Sequence, residues 1–544
     1  MNTQIKLAVA SVLAMGASNA FAISTSAIHD AFTAGTLVTL YVSGATSTDG
    51  TFENLAKLNS GGYCKPGTLD TYYYKSSSGS VVERAMACLA PALTDTVTSA
   101  TIADGTPVIV LKESHGGSAN GIVYVARGLG TQFMDITNTS NFGTVCASVT
   151  TTVTSTTAFA AYNTHDCGYD SATSIASTVS SASVVPNGGV SDVDPATFVG
   201  TSSVTASDAT SLGSVRRTVA VGFNPAVSLP LYLALQKAEG LVATSATVPD
   251  DSSVDKMPSL PASVVREILT GTLTDASNIY VGPPNAAGTT ATQLSTVLQS
   301  AGAFTTPSTS VYLCRRGNSS GSEYAIGAMF LNQGCGKNTS SIQAIKGATV
   351  ASCTASGCSW SFATYGANPV FAGSGSGDVR SCLGGHGSND QLAMGVLSLE
   401  AKPAVAGGSL LTDTYRYVKV DWQAPTLKST IEGNYSYFVE NTFNDVALTS
   451  AGTSQSTLWN TIYSAVGNPT SIIATNSSWK DAAAVGSTGS GEADVGILDL
   501  PASGHLPTLP VTAASVRTNP INGLTKLKSG SGTANDCNMG TQAY

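Results

Sequence analysis

Three times along this chain an apolar, β-branched run gives way to a Gly/Ser turn and then to apolar residues at helical spacing. In "LVTLYVSGATSTDGTFENLAKL", Leu37 to Val42 reads as a strand and Ser43 to Asp49 as the turn; Phe52, Leu55, Ala56 and Leu58 then recur on one helical face. In "VIVLKESHGGSANGIVYVARG", the strand is Val108 to Leu111, the turn Ser114 to Ser118, and a short helix opens at Asn120. The third unit has its strand at Val311 to Cys314, its turn at Arg315 to Ser320 and its helix at Gly321 to Leu331, with Tyr324, Ala328 and Leu331 on one face. Strands that feed helices predict an α/β fold with mainly parallel sheets. Ligands of such sheets sit at the carboxyl ends of the strands. All three turns lie at those ends, and each offers the N–H groups of a helix N-terminus, where an anion is favoured.

The third turn carries the chemistry. Only 11% of the residues are charged, yet "RRGNSSGSE" sets Arg315 and Arg316 side by side before glycine and serine. Fixed positive charge, small hydroxyls and bare backbone at one spot suit an oxyanion. Arg316 supplies a planar fork of donors. Arg315, its strand neighbour, faces the other way and is expected to be solvated. Thr46, Ser47, Ser118 and Asn120 also fit as helix caps, a role compatible with holding a ligand.

Other features exclude classes. The net charge is −9 with no basic stripe, which argues against nucleic acid and anionic lipid as partners. The five histidines, 29, 115, 165, 386 and 505, form no metal-binding spacing. "GCGKNTS" at Gly334 fails the P-loop pattern, and no GxSxG elbow is present. Ser118 with His115 and Asp192 is the one arrangement to weigh as a nucleophile with a base. Backbone-led anion binding explains the same residues without catalysis, so neither a catalytic residue nor a metal or cofactor is expected.

The opening "MNTQIKLAVASVLAMGASNAFAIS" reads as a signal peptide over residues 1–22, with Lys6, an apolar stretch and a cut after Ala20-Phe21-Ala22. No cysteine follows the cut, so no lipid anchor is expected, and no later run suits a membrane span. The expectation is a periplasmic or secreted protein. Ten cysteines, none in a CxxC arrangement, suit structural disulfides; Cys353 and Cys358 are spaced to close a small loop, and Cys146 and Cys167 flank a Ser/Thr-rich stretch. The length exceeds one ordinary core and predicts two lobes. Residues 60–105, 132–186 and 336–376, rich in Ser, Thr, Gly and Cys, read as insertions.

In order along the chain, these pieces resemble the phosphate-binding proteins of bacterial phosphate uptake and their relatives, the DING proteins. The stretch from Arg316 to Ser322 is similar to that family's R-x-x-x-S-G-T loop, with serine for the final threonine. "SGATS" at Ser43 to Ser47 resembles its first loop, and "GGSANG" at Gly116 to Gly121 its G-S-G-x-G loop. "GVSDVDPATF" at Gly189 to Phe198 is similar to its S-D segment, with Asp192 as the acid. "LPASVVREILTGTLTDASNI" from Leu260, "SNDQLAMGVLSLEA" from Ser388 and "STIEGNYSYFVENTF" from Ser429 resemble later segments. The resemblance implies a two-lobed type 2 periplasmic-binding-protein fold. It implies inorganic phosphate or a close oxyanion held by Thr46, Ser47, Ser118, Asp192, Arg316, Ser320, Gly321 and Ser322, and an ABC permease as partner. The division it implies is lobe 1 over 23–210, lobe 2 over 211–390, a return to lobe 1 over 391–450 and a C-terminal extension over 451–544. Two other readings stand beside it: a DING-like phosphatase using His115 as acid or base, and a secreted or surface structural protein that reuses the fold.

Overall fold

The computed structural model describes residues 22–75, 81–137, 146, 149–169, 181–199, 204–282, 291–299, 308–317, 319–333, 370–373, 375–388, 390–401, 403, 405–406, 410–411, 415–479, 493–501, 507–508, 510–526 and 541–542. Residues 1–21 of the expected signal peptide and the Cys353–Cys358 loop lie outside them.

The first half is built on strand β1 (Val38–Gly44), helix α1 (Asp49–Lys57), strands β2 (Val81–Leu89) and β3 (Pro107–Glu113), helix α2 (Asn120–Arg127) and strand β4 (Gly188–Ser191). Strand β1 pairs in parallel with β3 on one side and β4 on the other. Leu40 and Val42 bury against Phe52 and Leu55 of α1 and Ile122 and Val125 of α2. On the opposite face, Ile109, Leu111, Ala85 and Ala87 join Phe133 and Met134 in a second core. This is the pattern of a sheet covered on both faces.

A 15-residue strand, β5 (Ser214–Ser228), then crosses between the halves. The second half holds β6 (Val311–Arg316), α3 (Gly321–Leu331), β7 (Val370–Gly373), α4 (Ser376–Ser388) and β8 (Leu392–Ser398); the chain returns through β9 (Phe438–Asp445) and continues into α5 (Ser454–Val466). Strand β6 is parallel to both β7 and β8. Ser214 to Gly222 of β5 run antiparallel to β9, whereas Phe223 to Val227 run antiparallel to β8. One strand thus belongs to both sheets and changes partner between Gly222 and Phe223. The α/β architecture expected from the three repeated units and the two lobes expected from the length are present, with parallel strands at the heart of each half and antiparallel strands around them.

Several expectations are corrected. Because β8 pairs with β6 and β5, the second half extends past residue 391, and the return to the first half comes with β9. Residues 60–105 are not a peripheral insertion: strands Asp70–Lys75 and Val81–Leu89 extend the main sheet, and Tyr72, Tyr74 and Met86 are buried. Helix α5, which begins beyond residue 451, packs on α1 and β1 of the first half. Trp459 of α5 is fully buried, packs its ring at a tilt against Phe443 and donates its indole N–H to Asp445 at 3.1 Å. Strand β6 runs on through Arg316, two residues further than the apolar run suggests.

Candidate functional site

The carboxyl ends of β1, β3 and β4 face those of β6 and β7 across the junction of the two halves. Local packing brings the first three together. Gly44, at φ +119°, has room only for hydrogen: a Cβ there would lie 2.0 Å from the Val190 carbonyl oxygen. Gly121 of α2 and Gly189 of β4 touch at the same point, backbone to backbone. A larger residue at any of the three would push the turns apart.

Each turn then delivers its side chains. After β1, Thr46 and Ser47 open a single 3-10 turn that runs into α1. After β3, Gly116 and Gly117 both adopt positive φ and bring Ser118 back over the sheet. After β4 comes Asp192, 2% exposed. Its carboxylate accepts hydrogen bonds from the hydroxyls of Ser47, of Ser118 at 3.1 Å and, from the other half, of Ser322 at 3.3 Å. The Ser118 oxygen also accepts the Asp192 backbone N–H at 3.1 Å. Asp194, the competing acid of the segment, instead caps the short helix Pro195–Phe198 through the Ala196 N–H at 2.9 Å.

From the second half, Arg316 reaches into the junction at 2% exposure. Its Nη1 donates to Thr46 Oγ1 at 3.4 Å and to Ser376 Oγ at 3.0 Å. Burial pushes the guanidinium pKa down, and the charges of Asp192, Asp378, Glu323 and Asp49 resist that shift. Ser320 is buried, and its hydroxyl has no hydrogen-bond partner among the described residues. Gly321 opens α3 directly against Ser118: a Cβ there would stand 2.2 Å from Ser118 Oγ and 2.8 Å from Asp192 Cβ. The Ala119 N–H donates to the Ser319 carbonyl at 3.1 Å, closing the two halves on each other. All eight residues singled out in the sequence therefore converge on one buried junction.

Four neighbours were not foreseen. Ser376 opens a fourth strand–turn–helix unit, β7 into α4, whose Gly/Ser signal lies at the edge of a stretch that reads as an insertion. Lys112, fully buried, donates to the Gly44 and Ala45 carbonyls at 3.0 and 3.1 Å and lies 3.2 Å from Asp49, so it pins the first turn from beneath. Arg84 also pairs with Asp49. Glu400, partly buried, is held well above the ordinary carboxylate range by burial and by the charges of Asp192 and Asp49.

Arg315 is corrected. It is 7% exposed, donates to the Arg316 carbonyl at 3.0 Å and pairs with Glu323 at 3.1 Å. Burial pushes the Glu323 carboxyl up to about 7 despite that pair. The Ser118–His115–Asp192 arrangement does not assemble as a nucleophile with its base. Ser118 directs its hydroxyl to Asp192, whereas His115 turns Nδ1 toward Glu83 and Glu113, at 3.4 and 3.8 Å.

No family model matches this chain, and no curated protein matches it. Among solved structures it is similar to one described as a phosphate ABC transporter substrate-binding protein with bound phosphate from Clostridium perfringens, with TM-score 0.34 and 12% identity over 79% of this chain and 93% of that one. It is also similar to an ABC-type phosphate transport receptor from Vibrio cholerae, with TM-score 0.27 and 10% identity over 52% and 74%. A third is PstS from Borrelia burgdorferi, with TM-score 0.24 and 11% identity over 52% and 74%. At these distances the likenesses assign no residue a role.

Proposed function

We propose that this protein is an exported solute-binding protein of the type 2 periplasmic-binding kind that holds phosphate between its two lobes. The observation that carries the reading is the meeting, from both halves, of one buried arginine and five small hydroxyl side chains at one junction, where three of the hydroxyls donate to the Asp192 carboxylate. Arg316 supplies charge. Thr46, Ser47, Ser118, Ser320 and Ser322 supply hydroxyl donors, and the first turn of α3 at Gly321 supplies backbone N–H groups. Asp192 stands where those donors meet. A carboxylate there repels a bare anion but accepts a hydrogen bond from one that still carries a proton, as phosphate does at neutral pH. Closure around the ligand removes water and strengthens each contact. Delivery to an ABC permease is the transport role that goes with this reading.

The test is isothermal titration of purified protein with phosphate, in buffer free of phosphate. Saturable heat with one ligand per chain is the expected result. Absence of both heat and thermal stabilisation at millimolar phosphate would refute the reading.

A further inference from the structure

Away from the hydroxyl ring, on the other face of the same sheet, Glu83 of β2 and Glu113 of β3 stand directly opposite each other in register. Both are 1% exposed. They continue the face that carries Ala85, Ala87, Ile109 and Leu111 into the second core, so their surroundings below are apolar. The cations next to them in sequence, Arg84 and Lys112, project to the opposite face of the strands and are engaged with Asp49. Two like charges side by side in such a place are strongly unfavourable unless something neutralises them. Neither oxygen of Glu113 has a hydrogen-bond partner among the described residues. The neighbouring His115 N–H lends it an electrostatic contact without hydrogen-bond geometry. Burial and then the Glu83 charge hold the Glu113 carboxyl well above its ordinary range.

His115 completes the group. Its Nδ1 is 3.4 Å from Glu83 and 3.8 Å from Glu113, and the ligand atoms of all three residues lie within 4.8 Å of one another. Those spacings are too long for good hydrogen bonds, which centre near 2.9 Å. They match donors shared by one ion: two ligands about 2.0–2.1 Å from a tetrahedral metal stand about 3.3 Å apart. One imidazole nitrogen with two carboxylates is a donor set for zinc and its first-row neighbours. The imidazole is 20% exposed at the side chain, which leaves a path for an ion to enter. The turn is braced independently, since Asn120 donates to the His115 carbonyl at 2.7 Å.

We infer that Glu83, Glu113 and His115 form a binding site for a divalent transition-metal ion, with zinc as its representative. The ion ties β2 and β3 to the start of the turn that carries Ser118. The site stands on its own geometry and does not depend on which anion, if any, the junction binds.

The test uses the full oxidised chain, stripped with EDTA, desalted and titrated with Zn²⁺ against a chromophoric chelator. One equivalent is expected to bind with sub-micromolar affinity. Glu113→Gln and His115→Asn should each weaken it by at least about 100-fold, while Glu432→Gln, on an exposed turn, leaves it unchanged. Near-UV circular dichroism establishes that each variant is folded. Should Glu113→Gln fail to fold, His115→Asn decides alone, because that ring sits partly exposed on a turn. Failure to compete with the chelator, or binding that both folded variants retain within tenfold, overturns the assignment; in that case the two carboxyls share a proton instead.

Discussion

Asp192 decides what the junction prefers. Three serine hydroxyls donate to it from two halves of the molecule, so any ligand entering among them must satisfy the same carboxylate. Phosphate carries a proton to give; sulfate does not, and meets an acceptor with an acceptor. A site built on such a bond rejects the ligand that lacks it. Asp192→Asn is therefore expected to weaken phosphate modestly and to raise sulfate affinity, since the amide donates where the carboxylate does not. Arg316→Ala should weaken both anions by roughly 2–5 kcal/mol, the range for removing one partner of a buried charge pair. Calorimetric titration of the two variants with each anion checks this, and an unchanged phosphate-to-sulfate ratio in Asp192→Asn would place the ligand elsewhere.

At the level of elements, α3 meets the Ser118 turn closely across the junction. Gly321→Ala inserts a methyl group 2.2 Å from Ser118 Oγ. It should reduce phosphate affinity by about tenfold or more while near-UV circular dichroism and the melting temperature stay close to those of the parent; loss of affinity only together with loss of fold would mean that the helix is misplaced by other means. A second element reports on pH. Glu239 ends the helix Leu229–Ala238 and accepts the Ser259 N–H at 2.7 Å, and burial pushes its carboxyl up to about 8. The folded state binds a proton there that the unfolded chain has already released above about 4.5. Its contribution is thus fully present below that pH, falls as pH rises from about 4.5 to about 8, and is lost above, by about 1.4 kcal/mol per pH unit. Glu239→Gln should flatten denaturant-measured stability across that window and exceed the parent at pH 8. An unchanged slope would show the group to be hydrated.

The same elements show what the sequence made legible. Helix α3 falls at Gly321–Leu331, as its spacing predicts, because a strand, a Gly/Ser turn and an apolar run all agree there. The strand Val81–Leu89 was hidden because cross-strand pairing, not local pattern, makes "VVERAMACL" part of the sheet. Ser376 was hidden because a Gly/Ser turn looks the same in a solvated loop and at a ligand. Burial of Arg315 was hidden because its partner, Glu323, lies in the first turn of the following helix and is reached only once the strand has been lengthened by two residues. Lys112 was hidden by its apolar neighbours: nothing local reveals that two carbonyls of another turn await its ammonium group.

At the scale of the whole molecule, the three disulfides among the described residues each stay within one half. Cys64–Cys88 and Cys146–Cys167 lie in the first, and Cys314–Cys382 ties β6 to α4 in the second. Among the described residues no disulfide bridges the junction. Mass spectrometry of the unreduced protein should find these six cysteines closed to alkylation. Removing the Cys314–Cys382 pair should cost about 2–5 kcal/mol and loosen the two elements that hold Arg316 and Ser376. Ready alkylation of the six without reductant would contradict the pairing.

Strand β5 has a further consequence. Its stretch from Ser214 to Gly222 is bonded into one sheet and its stretch from Phe223 to Val227 into the other, so neither half can melt without stripping hydrogen bonds from a strand that the other still uses. Heat should therefore dismantle the protein in one cooperative step, although its size would ordinarily permit two. Scanning calorimetry should record a single endotherm, and a ligand caught at the junction should move it bodily upward. Two resolved peaks would mean that β5 breaks at Gly222, where it changes partners, and that the halves keep separate melting points on a shared thread.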